Sequence, residues 1–426
     1  MIVTLFLLLP VHSVFASSHG SLQERIEQTE PGETLILPAG KYDGNVVIDK
    51  PMKVIGNENV QIIVKNEENG INLHTDNISI ENVEIIDTRT NPELATITIT
   101  SNNNELREIS LKTNGIGIKL LEAHRNLLSQ ITINGNEQVK FSNRGNGIDL
   151  WGAHENVIES SSIHHVRDGI YLESSKKNNI KNNNISNGRY GYHLMFTENT
   201  NLEKNAASNN VSGIMVMGTE GTTVTKNVTT DNTMSVQSQG FLLYDVVGAT
   251  VTDNIITENK IGLYIEESSG NEIKRNHINK NYIGVQFLAS ESNDFQENAL
   301  VANVVQGQAE NSSNNHTDSN YWGDHSGIDI DGDGKSNVTY TVDPYYISLT
   351  NEYPPFQLFF QAPGMDFLEQ LLHTPTENWL VDKSPLMNNP VTLKNQTQQL
   401  SGAVLTISIL FIITSSSIIF LGRKKQ

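Results

Sequence analysis

Seven phrases between Gly147 and about Asn303 share one form, a glycine followed by apolar residues at alternate positions. They are Gly147-Ile148-Asp149-Leu150, Gly169-Ile170-Tyr171-Leu172, Gly191-Tyr192-His193-Leu194, Gly213-Ile214-Met215-Val216, Gly240-Phe241-Leu242-Leu243, Gly262-Leu263-Tyr264-Ile265 and Gly284-Val285-Gln286-Phe287. The glycines step by 22, 22, 22, 27, 22 and 22 residues. A fixed period with two-residue alternation inside it marks a solenoid whose repeat is one coil of β-strands. Between the strands run Asn-rich corners such as Asn178 to Ile185 and Asn271 to Ile278. Asparagine tolerates left-handed corner conformations and stacks in hydrogen-bonded ladders. The pattern predicts an all-β fold, a right-handed parallel β-helix solenoid, over residues 17–315. Gly307 is read as a last 23-residue step.

In each phrase the two apolar residues point into the coil, so the residue between them and the one after the second point outwards. The outward pairs are Asp149/Trp151, Tyr171/Glu173, His193/Met195, Met215/Met217, Leu242/Tyr244, Tyr264/Glu266 and Gln286/Leu288. A solvated face should be mostly polar, whereas this ladder of aromatic, Met and His side chains reads as an exposed binding surface. Coils stack ~4.8 Å apart, which places His193, Met195, Met215 and Met217 on two adjacent rungs. Imidazole with thioethers is a soft donor set that suits copper, particularly Cu(I), better than zinc, calcium or magnesium. The competing reading makes the methionines an adaptable contact surface for a partner, or a face covered by the C-terminal segment.

Composition narrows the rest. A formal charge of −19 argues against nucleic acid and, less strongly, against polyanionic sugar polymers as partners. The absence of cysteine excludes disulfides, thiolate catalysis and Cys-ligated metal sites. Asp149 and Glu173 are outward carboxylates one rung apart, but no basic residue aligns with them in the repeat, so catalysis is not expected.

At the N-terminus, the apolar run Ile2 to Pro10 and Val14-Phe15-Ala16 predict a signal peptide over 1–16, with an uncleaved anchor as the alternative. Ser21 to Thr29, with Leu22 and Ile26 four apart, predicts a short helix that caps the open first coil. The following Pro31 to Tyr42 resembles the entry segment of pectin-lyase-like β-helix proteins. Beyond the solenoid, residues 316–400 form an irregular segment and linker that includes an amphipathic helix candidate over Gly364 to His373. Ala403 to Leu421 is free of charge, long enough to span a bilayer, and followed by Arg423-Lys424-Lys425. Residues 401–426 are therefore expected to be a transmembrane helix with a cytoplasmic basic tail, holding the β-helix outside the cell membrane.

Asp329, Asp331 and Asp333 with Gly334 match the first half of a calcium loop, but its twelfth position is Tyr340 rather than glutamate. Calcium there and an acidic turn are both open readings. His124 and His154 each lie seven residues after their coil's glycine and read as a shared structural turn; His164 and His165 read as corner residues. Arg189 is read as a surface residue near the Met/His patch, able to pair with an acidic neighbour.

Several phrases together resemble the NosD family, exported β-helix proteins of nitrous oxide reductase maturation. They are Gly188 to Phe196, Asn320 to Asp324, Asp329 to Gly334 and Asp382 to Met387. The resemblance covers roughly residues 20–390. It implies a non-enzymatic component of an ABC-type complex, standing on a permease driven by a cytoplasmic ATPase. Such a protein receives copper from a small copper chaperone and passes it to apo nitrous oxide reductase. It makes His193, Met195, Met215 and Met217 transient copper ligands. It also makes the segment from 320 to 390 the permease contact, through Tyr321, Trp322, Phe367, Leu371 and Leu372. A membrane anchor of its own departs from the usual family pattern. The alternative is a membrane-anchored carbohydrate-binding or carbohydrate-processing β-helix using Trp151, Tyr171, Glu173, Tyr244 and Tyr264.

Overall fold

The computed structural model describes residues 21–391, apart from 67–69, 360–363, 365–367, 369–370 and 377–378. The signal peptide and the Ala403 to Leu421 span both lie outside the described residues. Among the described residues, no helix is long and apolar enough to cross a membrane.

Alternation every second residue builds a parallel β-solenoid of about 13 turns. One face is a sheet of twelve parallel strands, one per coil. Seven of these carry the repeated phrases: β1 (Ile148–Trp151), β2 (Asp168–Glu173), β3 (Tyr190–Met195), β4 (Ser212–Met217), β5 (Gln239–Tyr244), β6 (Ile261–Glu266) and β7 (Ile283–Leu288). Their apolar alternates, such as Ile148, Leu150, Tyr192, Leu194, Phe241 and Leu243, are fully buried and stack into one continuous core. The opening glycine of each phrase is fixed by close approach. A Cβ on Gly147, Gly169, Gly191 or Gly213 would come within 2.5–2.6 Å of the carbonyl oxygen of the next glycine in the row.

Buried asparagines tie coil to coil. In the longest ladder the backbone N–H of Asn183 donates to the side-chain oxygen of Asn205, Asn205 to Asn227, Asn227 to Asn254, Asn254 to Asn276, Asn276 to Asn298 and Asn298 to Asn320. The left-handed residue at these corners is the one before the ladder asparagine: Asn182, Lys204, Lys226, Asp253, Arg275, Glu297 and Ser319 all have φ between 54° and 66°. The ladder asparagines are thus selected for their buried amides rather than for their backbone freedom.

Both ends of the stack are closed. The N-terminal helix Leu22–Gln28 starts at a capping box formed by Ser21 and Glu24 and buries Leu22 and Ile26. Its Gln23 accepts the N–H of Val47 at 2.9 Å, satisfying an edge group of the first coil. At the other end Gly307 does not continue the glycine row. It aligns with Val285, a core position, while Gln306 takes the place beside Gly284. The side chain missing at Gly307 leaves room for Leu380, whose Cδ2 would lie 2.8 Å from an added Cβ. Leu380 belongs to a strand, Leu380–Asp382, paired antiparallel with Tyr340–Val342. The adjoining Asp382 carboxylate is buried and accepts N–H groups from Ser319, Asn320, Ser384 and the Trp322 indole.

Trp322 is therefore not a partner-binding surface: it is 2% exposed, stacks on Tyr340 and adds to the last rung beside Leu300. Tyr321 is half-buried next to it. Leu371 and Leu372 are exposed, and the Leu372 N–H donates to the Leu368 carbonyl. Phe367 and much of the Gly364 to His373 helix candidate lie outside the described residues.

Candidate metal-binding cleft

The twelve-stranded sheet carries the predicted pairs in register. Tyr171 aligns with His193 and His193 with Met215; Glu173 aligns with Met195 and Met195 with Met217. The 27-residue step does not disturb this, since Met215 and Met217 align with Leu242 and Tyr244. The four soft donors share two neighbouring rungs.

The face is a trough rather than an open ladder. The first residue of the outward pair lines its floor in several coils: His193 is 7% exposed and Met215 5%, and Asp149 and Leu242 are also buried. The second residue forms the rim, with Met195, Met217 and Tyr244 half-buried and Trp151 exposed. Corner segments that depart from the 22-residue period supply walls. Pro92 and Glu93 come from one before the sheet, Gly145 from another, and Val236 and Gln237 from the residues added between β4 and β5. A buried soft-donor floor with a reachable rim replaces the exposed patch expected from the sequence.

His193 is held tightly. Its ring lies 4.9 Å from that of Tyr171 and 5.1 Å from that of Tyr190, and its Nδ1 sits 2.9 Å from Asp168 Oδ2. Arg189 grips the same carboxylate with Nε at 2.8 Å and Nη2 at 2.6 Å. Burial alone would raise the Asp168 carboxyl, but the hydrogen bonds from His193 and Arg189 hold it below the ordinary carboxylate range. An ionised Asp168 accepts only, so His193 Nδ1 is the donor of this bond and Nε2 is the ring nitrogen left for another partner. That is how a metal-ligating imidazole is oriented. On the neighbouring strand the Tyr171 hydroxyl donates to Glu173 and lies 3.5 Å from the Met195 sulfur. Burial and the Glu173 charge push the Tyr171 phenol upwards, so it stays protonated.

Three groups here are not part of the repeated phrases. Asp168, Arg167 and Arg189 precede their coil's glycine, and two of them bring positive charge to a cavity of about 330 Å³ that also meets Asp149 and His193. The expectation that no basic group accompanies the outward carboxylates is therefore corrected. Arg189 makes the acidic pairing expected of it, with the buried Asp168, and its side chain is partly exposed. A second cavity, about 660 Å³, lies further along the trough between Tyr264, Gln286 and Gln308.

The other candidates separate from the cleft. His124 and His154 stack at 4.7 Å, and each Nδ1 accepts a backbone N–H from the next coil, which makes them the structural turn expected. His165 is a corner residue with φ 57°, whereas His164 lies on a strand between the hydroxyls of Ser162 and Ser186. The carboxylates of Asp329, Asp331 and Asp333 come within 4.8 Å of one another. Both oxygens of Asp329 accept N–H groups of the loop itself, from Gly332 and Gly334.

With this geometry in place, residues 130–335 match the family model described as periplasmic copper-binding protein (NosD). The chain is NosD-like. The matched span contains β1 to β7, the four soft donors and Asp168. No curated protein sequence matches. Solved structures of the same fold include the A-module of the Azotobacter vinelandii mannuronan C-5 epimerase AlgE6, with TM-score 0.59 and 13% identity over 69% of this chain and 92% of that one. A mannuronic acid specific polysaccharide family 6 lyase from human gut microbiota follows, with TM-score 0.53 and 10% identity over 71% of this chain and 84% of that one. These likenesses speak for the β-solenoid. The NosD-like reading rests on the family match and agrees with the donor set in the trough.

Proposed function

We propose that this chain binds Cu(I) transiently on the rungs of His193, Met195, Met215 and Met217 and hands it on for copper-site assembly in nitrous oxide reductase. The observation that carries the reading is the in-register pairing of His193 with Met215 and of Met195 with Met217, with His193 Nδ1 tied to Asp168. Thioethers and a neutral imidazole are neutral ligands, so a monovalent soft cation fits them without the compensating anions a harder divalent ion would need. Met195 and Met217 on the rim would capture the ion; Met215 and His193 on the floor would complete its coordination. The rim donors remain open to solvent on one side, which suits release better than a closed cage of ligands.

In this reading the protein is not an enzyme. It acts outside the cytoplasm as part of an ABC-type complex, taking copper from a chaperone and using an ATPase and permease as partners. Among the described residues, the exposed Leu371 and Leu372 are the apolar candidates for the permease contact. The family description, periplasmic and copper-binding, supports the location and the cargo.

The test is Cu(I) competition against a chromogenic chelator under anaerobic conditions, with the full chain and with a Met195→Leu/Met215→Leu/Met217→Leu variant. Leucine keeps the apolar volume while removing sulfur. Tight binding by the wild type that the variant loses is the expected result. Equal binding by both would move the copper site away from the trough.

A further inference from the structure

The cavity beside His193 contains a cation with an unpaired buried donor. Arg167 lines it together with Asn146, Asp149, Trp151, Tyr171 and His193. Its Nε is buried and has no hydrogen-bond partner among the described residues, and its charge acts on the nearby Asp149 carboxyl. A buried donor without an acceptor costs free energy, and an arginine offers its donors in a planar fork that matches a carboxylate. None of the acidic groups nearby hydrogen-bonds its side chain. Asp168 is engaged by Arg189 and His193, Asp149 accepts from the Asn146 amide at 2.8 Å, and Glu93 is exposed on the corner wall.

The remaining lining defines the rest of the ligand. Trp151, 37% exposed, lines the cavity and meets Tyr171 edge to face at 5.7 Å, with the Lys119 ammonium 5.9 Å from its ring centroid. Asn146 supplies an amide that donates and accepts, and Asp149 a carboxylate that accepts from hydroxyls. At about 330 Å³ the space is at the small end of ligand pockets. An aromatic face for a ring's C–H side, polar groups for hydroxyls and a guanidinium with an unpaired donor for a carboxylate are together the requirements of a sugar acid.

We infer that this cavity is a binding subsite for a hexuronic acid residue, with Arg167 taking the carboxylate and Trp151 the ring face. The subsite is built from the chain alone and needs no metal. It is independent of the copper reading, although both share the wall formed by His193 and Met195.

The experiment is calorimetric titration of the metal-free full chain with D-glucuronate, D-glucose and acetate, repeated on Arg167→Met and Trp151→Ala. Glucuronate should bind the wild type, glucose and acetate should each bind at least about tenfold more weakly, and Arg167→Met should lose about tenfold or more of the glucuronate affinity. No binding of glucuronate to the wild type, acetate binding as tightly as glucuronate, or unchanged affinity in Arg167→Met would each overturn the assignment. The wild-type comparison needs no variant to fold. Failure here would leave Cu(I) binding untouched, and loss of Cu(I) binding would leave this result standing.

Discussion

Asp168 Oδ2 lies 2.9 Å from His193 Nδ1, and Arg189 closes on the same carboxylate from the preceding position of the next coil. One buried anion thereby fixes both the tautomer and the plane of the histidine that aligns with Met215. Second-sphere carboxylates of this kind typically alter metal affinity by about 10–100-fold. Asp168→Asn should weaken Cu(I) binding by that order and shift the His193 ring nitrogens away from the Nδ1–H tautomer in nitrogen NMR. A variant with unchanged affinity and ring signals but a lower melting temperature would reduce Asp168 to a structural role.

Asp149 gives a pH signature of opposite sign to that of Asp168. Burial raises its carboxyl to about 6, against the lowering effects of the Asn146 hydrogen bond and the Lys119 charge. The folded protein therefore holds this proton more tightly than the unfolded chain. The stability that it contributes is fully present below about pH 4 and is lost as pH rises through about 6. Asp149→Asn should thus melt higher than wild type near pH 8, by roughly 1–3 kcal/mol of stability, and show no gain near pH 4. Thermal melts across that range decide it; a constant difference at all pH values would reject the raised carboxyl.

Asn227 tests the ladder. Its side-chain oxygen accepts from the Asn205 backbone at 2.9 Å, and its amide donates to Leu202 O at 2.9 Å and to Asn254 Oδ1 at 3.1 Å, all without solvent exposure. Asn227→Ala leaves several buried groups unpaired and should cost about 2–4 kcal/mol in denaturant unfolding. Arg275→Ala, which removes an exposed pair with Asp253, should cost no more than about 1 kcal/mol. Comparable losses in the two variants would mean that the asparagine rows are incidental to stability.

The fold and the rung partners of His193 were legible because both follow from a single period. Stacking demands that equivalent residues of successive coils align, so counting 22 from Tyr171 reaches His193 and counting 22 again reaches Met215. The trough was not legible, since its walls come from segments that break the period. Asp168 and Arg167 were missed for a related reason. They precede the glycine of their phrase, where the row contains Asn, Asp, Tyr, Ser and Gln at the −1 position and presents no alternation. The signal available was polarity itself, since Asn146, Asp168, Tyr190, Ser212 and Gln239 stand in the same place in five successive coils. Gly307 misled in the other direction, because a glycine at nearly the right spacing occupied a core position that only Leu380, far along the chain, could explain.

The asparagine ladders also govern where this architecture can change. The row from Asn210 through Asn232 to Asn259 passes unbroken across the coil that carries five extra residues. Those residues enter after Asn232 and before β5, at the corner leading into the twelve-stranded sheet, and the segments contributing Pro92, Glu93 and Gly145 occupy the same corner of earlier coils. Length variation is thus steered to one seam of the solenoid, the seam that borders the trough. Ligand preference can drift through insertions and deletions there while the stacking code is inherited unchanged.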